Sequence, residues 1–296
     1  MDICLALGGG GVRGNAHIGV LKVLEREGFK IRALAGTSAG GLAAVAYAAG
    51  FSPGEIALHI LRAEPANLFT RQPGDGPALM GIAGLTRVLT GMLGDRTFAD
   101  VQIPCAVTAC DLNSGGEIIL REGSLVEALQ ATVAIPGIFP AKAWDDKYLL
   151  VDGAIVDPVP VSVARRLAPG LPVVAVVLSP SPNEWAELPA TGLFKPPHIL
   201  ERVTRLRVAQ AFDIFVRSID RGAIALTESR LQLEKPEVII RPAVGRFGLL
   251  DRVDISEVMR QGEIAAEAAL PQLRRAVRWP NRVRIFFRAN LFRQAF

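Results

Sequence analysis

The chain has 296 residues, half of them apolar, a formal net charge of +4 and a mean hydropathy of +0.32. That length can bury a large core, and so small a net charge without a nucleic-acid-binding motif argues against a nucleic-acid partner. No apolar run reaches the about 18 residues of a spanning helix, the opening Met1-Asp2-Ile3-Cys4 carries no basic leader, and Cys4, Cys105 and Cys110 suit free thiols of a reducing cytosol better than a disulfide framework.

Residues 3–7 read as a short buried strand running into Gly8-Gly9-Gly10-Gly11-Val12-Arg13-Gly14. Residues 17–26 follow with one apolar face, the pattern of a helix. Consecutive glycines at a helix N-terminus can turn backbone N–H groups toward an anion or a developing oxyanion, and Arg13 adds positive charge there. The same residues fit a dinucleotide fingerprint, Gly9-x-Gly11-x-x-Gly14. That fingerprint wants an acidic residue at the end of the second strand. The second strand ends Leu34-Ala35-Gly36-Thr37-Ser38, with no acid, which disfavours nucleotide binding.

Gly36-Thr37-Ser38-Ala39-Gly40 lies between that strand and a run of small residues, 41–49. In the order strand, tight turn, helix, a serine is pushed clear of the backbone path, and the flanking glycines relieve the crowding. Ser38 is therefore a candidate nucleophile.

Residues 53–63 read as a helix and 67–77 as turns. Residues 78–93 read as an apolar helix whose only charge is Arg87. Two readings of it stand: a core helix, or a flap over the active site that meets lipid. Strands are expected over 104–109 and 117–120, joined by a turn at 111–116. A short helix is expected over 124–132, with Ser124 as N-cap and Glu127 at the capping-box position. A strand-like run then leads into Val151-Asp152-Gly153-Ala154. Asp152 is either a simple turn residue or a carboxylate placed to reach a neighbouring strand's turn, with Gly153 leaving room for a serine hydroxyl. Residues 173–178 read as a buried parallel strand, 179–197 as a linker rich in Pro and Ser, 199–233 as one or two long amphipathic helices, 238–240 as a late strand and 256–277 as a final helix. After Glu267 there is no acidic residue, and arginines interleave with aromatic and aliphatic residues over 274–296. This tail is either packed on the domain or attached to an anionic membrane, where each basic residue contributes about 1 kcal/mol.

The three motifs together, Gly9 to Gly14, Gly36 to Gly40 and Asp152-Gly153-Ala154, resemble the patatin-like phospholipase family. Ile135-Pro136-Gly137-Ile138-Phe139-Pro140 is similar to the loop that precedes the family's aspartate, and Ala16-His17-Ile18-Gly19-Val20-Leu21 to the run after its glycine loop. The resemblance covers residues 3–180. It implies an α/β fold, a three-layer α/β/α sandwich with a mainly parallel central sheet, over 1–180; no family motif lies beyond 180, and the chain length with the helical patterns there leads us to expect a C-terminal helical extension, 181–296, packed on that domain. It implies a serine lipid acyl hydrolase with Ser38 as nucleophile and Asp152 as general base. Gly9, Gly10 and Gly11, with Arg13 nearby, would form the oxyanion hole, and Gly14, Gly36, Gly40, Gly153 and Ala154 complete the motifs. The implied substrates are phospholipids, lysophospholipids, acylglycerols or simple esters, with no metal or organic cofactor. The expected location is the cytoplasm, with peripheral membrane contact through the 78–93 helix or the 274–296 tail. The rival class is a regulatory or scaffold protein that keeps the fold with little turnover; the intact motifs favour the enzyme.

The chain has three histidines, His17, His59 and His198. A hydrolase triad runs serine, acid, histidine along the chain, and only His198 follows Asp152, in a proline-rich connection. His17 and His59 fall in helix-like segments and read as packing or surface residues. A dyad is favoured, although an ordinary aspartate titrates near pH 4 (roughly) and is a weak base at neutral pH. A helix N-terminus at Ser38, oxyanion donors contributing about 3 kcal/mol each and burial of Asp152 would offset that weakness. The rate should then fall on an acidic limb.

Overall fold

Large and small apolar residues alternate along the central strands, and this gives the sheet two unlike faces. A computed structural model describes residues 1–63, 65–182 and 207–278. In chain order it contains β1 (Asp2–Leu7), α1 (Ala16–Arg26), β2 (Lys30–Thr37), α2 (Ala39–Ala48), α3 (Pro53–Arg62), α4 (Pro65–Leu68) and α5 (Ala83–Leu93). There follow β3 (Cys105–Asp111), β4 (Glu117–Leu120), α6 (Leu125–Thr132), β5 (Lys142–Trp144) and β6 (Tyr148–Asp152). The remainder comprises α7 (Val161–Leu167), β7 (Val173–Val176), α8 (Arg207–Glu234), β8 (Val238–Ile240) and α9 (Ile255–Ala276).

The eight strands form one sheet in the order β5-β6-β3-β2-β1-β7-β8, with β4 paired to β3 off that path. β3, β2, β1, β7 and β8 run parallel; β6, β5 and β4 are antiparallel to their neighbours. Ile3, Leu5, Leu7, Leu34, Val107, Val174 and Val176 point to one face, where α1, α2, α5, α6 and α9 cover them. Cys4, Ala6, Ala33, Ala35 and Ala106 point to the other, where their small side chains meet Val161, Val163 and Ala164 of α7 and Leu231 of α8. The expected three-layer α/β/α architecture is what the chain forms. Val238 and Ile240 of β8 and Ala266, Ala269 and Leu273 of α9 belong to the first of these cores, so residues after 207 share it with those before 180.

Several local expectations need correction. The helix expected over 78–93 begins at Ala83. Residues 79 and 80 instead give their N–H groups to the carbonyls of Gly137 and Ile138 at 3.1 and 2.9 Å. Two glycines permit this path: a Cβ at Gly81 would collide with the Thr70 carbonyl, and one at Gly84 with the Asn67 carbonyl. Ser124 caps α6 through the Glu127 N–H, but the Glu127 carboxylate turns to Lys142 Nζ at 2.9 Å and leaves the box half made. A complete capping box occurs instead at Ser52 and Glu55, ahead of α3. The strand expected over 173–178 is β7, Val173–Val176. Of the expected linker, long helices and basic tail, residues 183–206 and 279–296 lie outside the described residues.

Candidate active site

The sheet register brings the motifs together. Leu7 at the end of β1 is level with Gly36 in β2, Thr37 is level with Thr108 in β3, and Ala109 of β3 is level with Asp152 in β6. The glycine loop leaving β1, the turn after β2 and the end of β6 therefore reach one height on the sheet, with β3 between the serine and the aspartate. The carboxyl ends of parallel strands are where open α/β sheets place ligands.

Ser38 sits in the tight turn between β2 and α2 with φ 54° and ψ −124°, a left-handed backbone for a residue with a Cβ. The flanking glycines make the turn possible: Gly36 packs against the Gly40 carbonyl and Gly40 against the carbonyl of Leu7. Gly14 meets Ala39 at the start of α2 and so locks the glycine loop beside the turn. The Ser38 N–H donates to Thr132 Oγ1 at 2.9 Å, and that hydroxyl donates to the Thr108 carbonyl at 2.6 Å. Thr37 donates to the Asp157 carbonyl at 2.8 Å and shares a 2.6 Å contact with the Thr108 hydroxyl. These threonines carry no signal in the sequence, because nothing in the local pattern distinguishes a threonine that braces a turn 94 residues away.

Asp152 is 3 % exposed and Ser38 6 %. The Asp152 carboxylate accepts the Ala154 N–H at 2.9 Å. Burial pushes its pKa up to about 6, while the adjoining Ser38 hydroxyl and the Ala154 amide pull it down. Gly153 lets β3 approach: a Cβ there would stand 2.6 Å from the Thr108 carbonyl and hydroxyl oxygens.

In the glycine loop, the Gly9 N–H is already given to the Pro158 carbonyl at 3.0 Å. Gly9 thus supplies space rather than a free donor, which corrects the expectation for its amide. The N–H groups of Gly10 and Gly11 have no backbone acceptor among the described residues, and both residues line the cavity that holds Ser38 and Asp152. Arg13 lines it too, but its Nε donates to the Phe247 carbonyl at 2.7 Å and its Nη1 lies 3.9 Å from Asp220 of α8. Burial lowers the Arg13 pKa and Asp220 opposes that shift.

The cavity measures about 70 Å³. Val216, Ile219, Ala223 and Ile224 of α8 give it an apolar roof, and Ile135 and Pro136 line it from the loop after α6. The roof was not foreseen: the amphipathic pattern of α8 says that one face is covered, not which cavity it covers. Neither His17 nor His59 lines the cavity, and His198 is outside the described residues. His17 is fully buried, its Nε2–H donating to the Gly8 carbonyl at 2.8 Å, and burial depresses its pKa to about 4. His59 packs edge-on against Phe51. Among the described residues no group of three or more His, Cys, Asp or Glu side chains could hold a metal ion, and no helix is long and apolar enough to cross a membrane.

Residues 5–165 match the family model described as patatin-like phospholipase. The chain belongs to the patatin-like phospholipase family. An uncharacterized NTE family protein of Mycobacterium tuberculosis is 29 % identical over 275 residues, which cover 90 % of this chain and 46 % of the relative. The mouse patatin-like phospholipase domain-containing protein 6 is 28 % identical over 171 residues, 56 % of this chain and 13 % of that one. This patatin-like chain thus spans less than half the length of these curated relatives. Among solved structures, VipD from Legionella pneumophila has a similar fold, with a TM-score of 0.56 at 12 % identity, covering 91 % of this chain and 66 % of that one.

Proposed function

We propose that the chain is a serine lipid acyl hydrolase, of phospholipase, lysophospholipase or carboxylesterase type, working through a Ser38–Asp152 dyad. The carrying observation is that the Ser38 hydroxyl adjoins the buried Asp152 carboxylate in a cavity lined by Gly10 and Gly11 and roofed by apolar residues.

Ser38 Oγ attacks the ester carbonyl carbon as its proton passes to Asp152. The oxyanion accepts hydrogen bonds from the free Gly10 and Gly11 amides, each worth about 3 kcal/mol in the transition state, with Arg13 and the N-terminus of α2 adding positive potential. The tetrahedral intermediate collapses, and Asp152 returns the proton to the departing alcohol. Water then attacks the acyl-serine as Asp152 takes its proton; the acyl carbon–Oγ bond breaks, Asp152 returns the proton to Ser38 Oγ, and the fatty acid leaves. A carboxylate pushed up to about 6 by burial is a stronger base than an ordinary aspartate.

The roof suits an acyl chain. Val216 joins an apolar cluster with Ile138, Phe139 and Met80 beside the cavity. Leu79 and Ile214, sequence neighbours of Met80 and Val216, are exposed; we assign them to contact with a lipid surface. A liposome float assay in which Leu79→Glu and Ile214→Glu bind as well as wild type would remove that assignment.

Covalent trapping tests the chemistry. A fluorophosphonate loses fluoride as Ser Oγ bonds to phosphorus. The proposal expects one adduct, mapped by peptide mass to Ser38 and absent from Ser38→Ala. An adduct on another residue, or none, would overturn it.

A further inference from the structure

A non-glycine residue at φ 54° stays there only where its surroundings hold it. At Ser38 the carbonyl is held within α2 by the Leu42 N–H at 3.1 Å, and the N–H is held by a different element. The Ser38 N–H is bound by the hydroxyl of Thr132, the last residue of α6, at 2.9 Å. A hydroxyl has one proton and two lone pairs. Thr132 spends its proton on the Thr108 carbonyl at 2.6 Å, which fixes its oxygen as the acceptor for Ser38. Both threonines are fully buried, so water does not compete. Thr108 is also the surface on which Gly153 packs, and the next residue, Ala109, pairs with Asp152. One hydroxyl thus ties the backbone of the serine to the strand that aligns the carboxylate.

We propose that Thr132 is a positioning residue of this site: its hydroxyl holds the Ser38 backbone in the conformation that keeps Oγ against Asp152 and facing the Gly10 and Gly11 amides. The proposal rests on the Ser38–Asp152 reading above. Without the hydroxyl, the Ser38 N–H is a buried donor without a partner, and the turn gains by rotating toward an ordinary backbone conformation. That rotation carries Oγ away from the carboxylate.

Two substitutions separate hydrogen bonding from packing. The Thr132 methyl packs on α2, since a Cβ at Gly41 would lie 3.0 Å from it. Thr132→Val keeps that shape and loses the hydroxyl; Thr132→Ser keeps the hydroxyl and loses the methyl. With p-nitrophenyl butyrate, Thr132→Val should lower kcat by about 10- to 100-fold, the size of a misplacement on the order of 1 Å, with KM little changed. Thr132→Ser should recover most of the rate. Hydrogen exchange at the Ser38 amide should be slow in wild type and Thr132→Ser and fast in Thr132→Val. Wild-type kcat in Thr132→Val, or equal loss in both variants, would overturn the assignment of Thr132 alone; a wild type inert to both ester and fluorophosphonate would overturn the dyad and Thr132 together.

Discussion

Gly9 faces Ser38 across the cavity: a Cβ built on residue 9 would stand 3.2 Å from Ser38 Cβ and 3.6 Å from Ala154 Cβ. At that spacing the neighbour must give by a few tenths of an ångström. The neighbour is the proposed nucleophile.

Gly9→Ala should therefore cost activity more than stability. We expect kcat to fall roughly 10-fold or more through displacement of Oγ, with a stability loss of about 1 kcal/mol, the low end of the range for a methyl group added to a packed site. Gly40→Ala should do the reverse. Its Cβ would run into the Leu7 carbonyl, a rigid backbone atom, and a loss of about 3 kcal/mol or more is expected. Urea unfolding beside ester kinetics on the two variants checks both directions.

The acid limb of the rate profile should report Asp152. Its pKa is pushed up to about 6 by burial, and only the ionised form can accept the Ser38 proton. The rate should rise through pH 6 and level above it. A limb near pH 7 that disappears in His198→Ala would contradict the dyad, since it would restore a triad.

Two buried groups should pull stability in opposite directions over nearly the same pH interval. Asp152 titrates at about 6 in the fold against an ordinary 3.8. The folded state therefore keeps a proton the unfolded chain has lost, and stability falls as pH rises from 3.8 to 6. His17 titrates at about 4 in the fold against 6.5. Its contribution is complete above 6.5 and is lost as pH falls to 4. Each shift is worth about 3 kcal/mol. Asp152→Asn removes one side of this balance, so the variant should gain about 2 kcal/mol relative to wild type between pH 4 and pH 7, because part of the effect is already lost by pH 4. Urea titrations at those two pH values measure it; a constant difference would argue against the shift.

Arg13 ties the glycine loop to the segment between β8 and α9, and more weakly to α8. Its Nε bond to the Phe247 carbonyl is short, at 2.7 Å, while the Asp220 contact is 3.9 Å. Arg13→Lys keeps the charge but not the fork. It should lower stability by about 1–3 kcal/mol through the unpaired carbonyl, more than Asp220→Asn does. Thermal melts of the two variants give the order.

The parts legible in the sequence are those where chemistry is local. Gly36 and Gly40 announce a crowded turn because a Cβ collides with backbone only a few residues away or at the end of the adjoining strand. The alternation of Ile3, Leu5 and Leu7 with Cys4 and Ala6 announces a two-faced strand. What escaped notice depends on distant partners. Thr132 looks like any helix C-terminal threonine until α6 is packed against α2. Residues 78–82 carry a helical apolar pattern, yet Gly81 and the carbonyls of Gly137 and Ile138 hold them in a bent, irregular path. The motif suggests a donor role for the Gly9 amide, and only the fold shows that the Pro158 carbonyl accepts its hydrogen bond.

Hydrolysis of p-nitrophenyl butyrate by wild type, Ser38→Ala and Asp152→Asn tests the central claim most directly. Each substitution should lower the rate by at least about 1,000-fold, as removal of a member of a catalytic unit does, with the folded structure retained. Wild-type turnover in either variant would contradict the account.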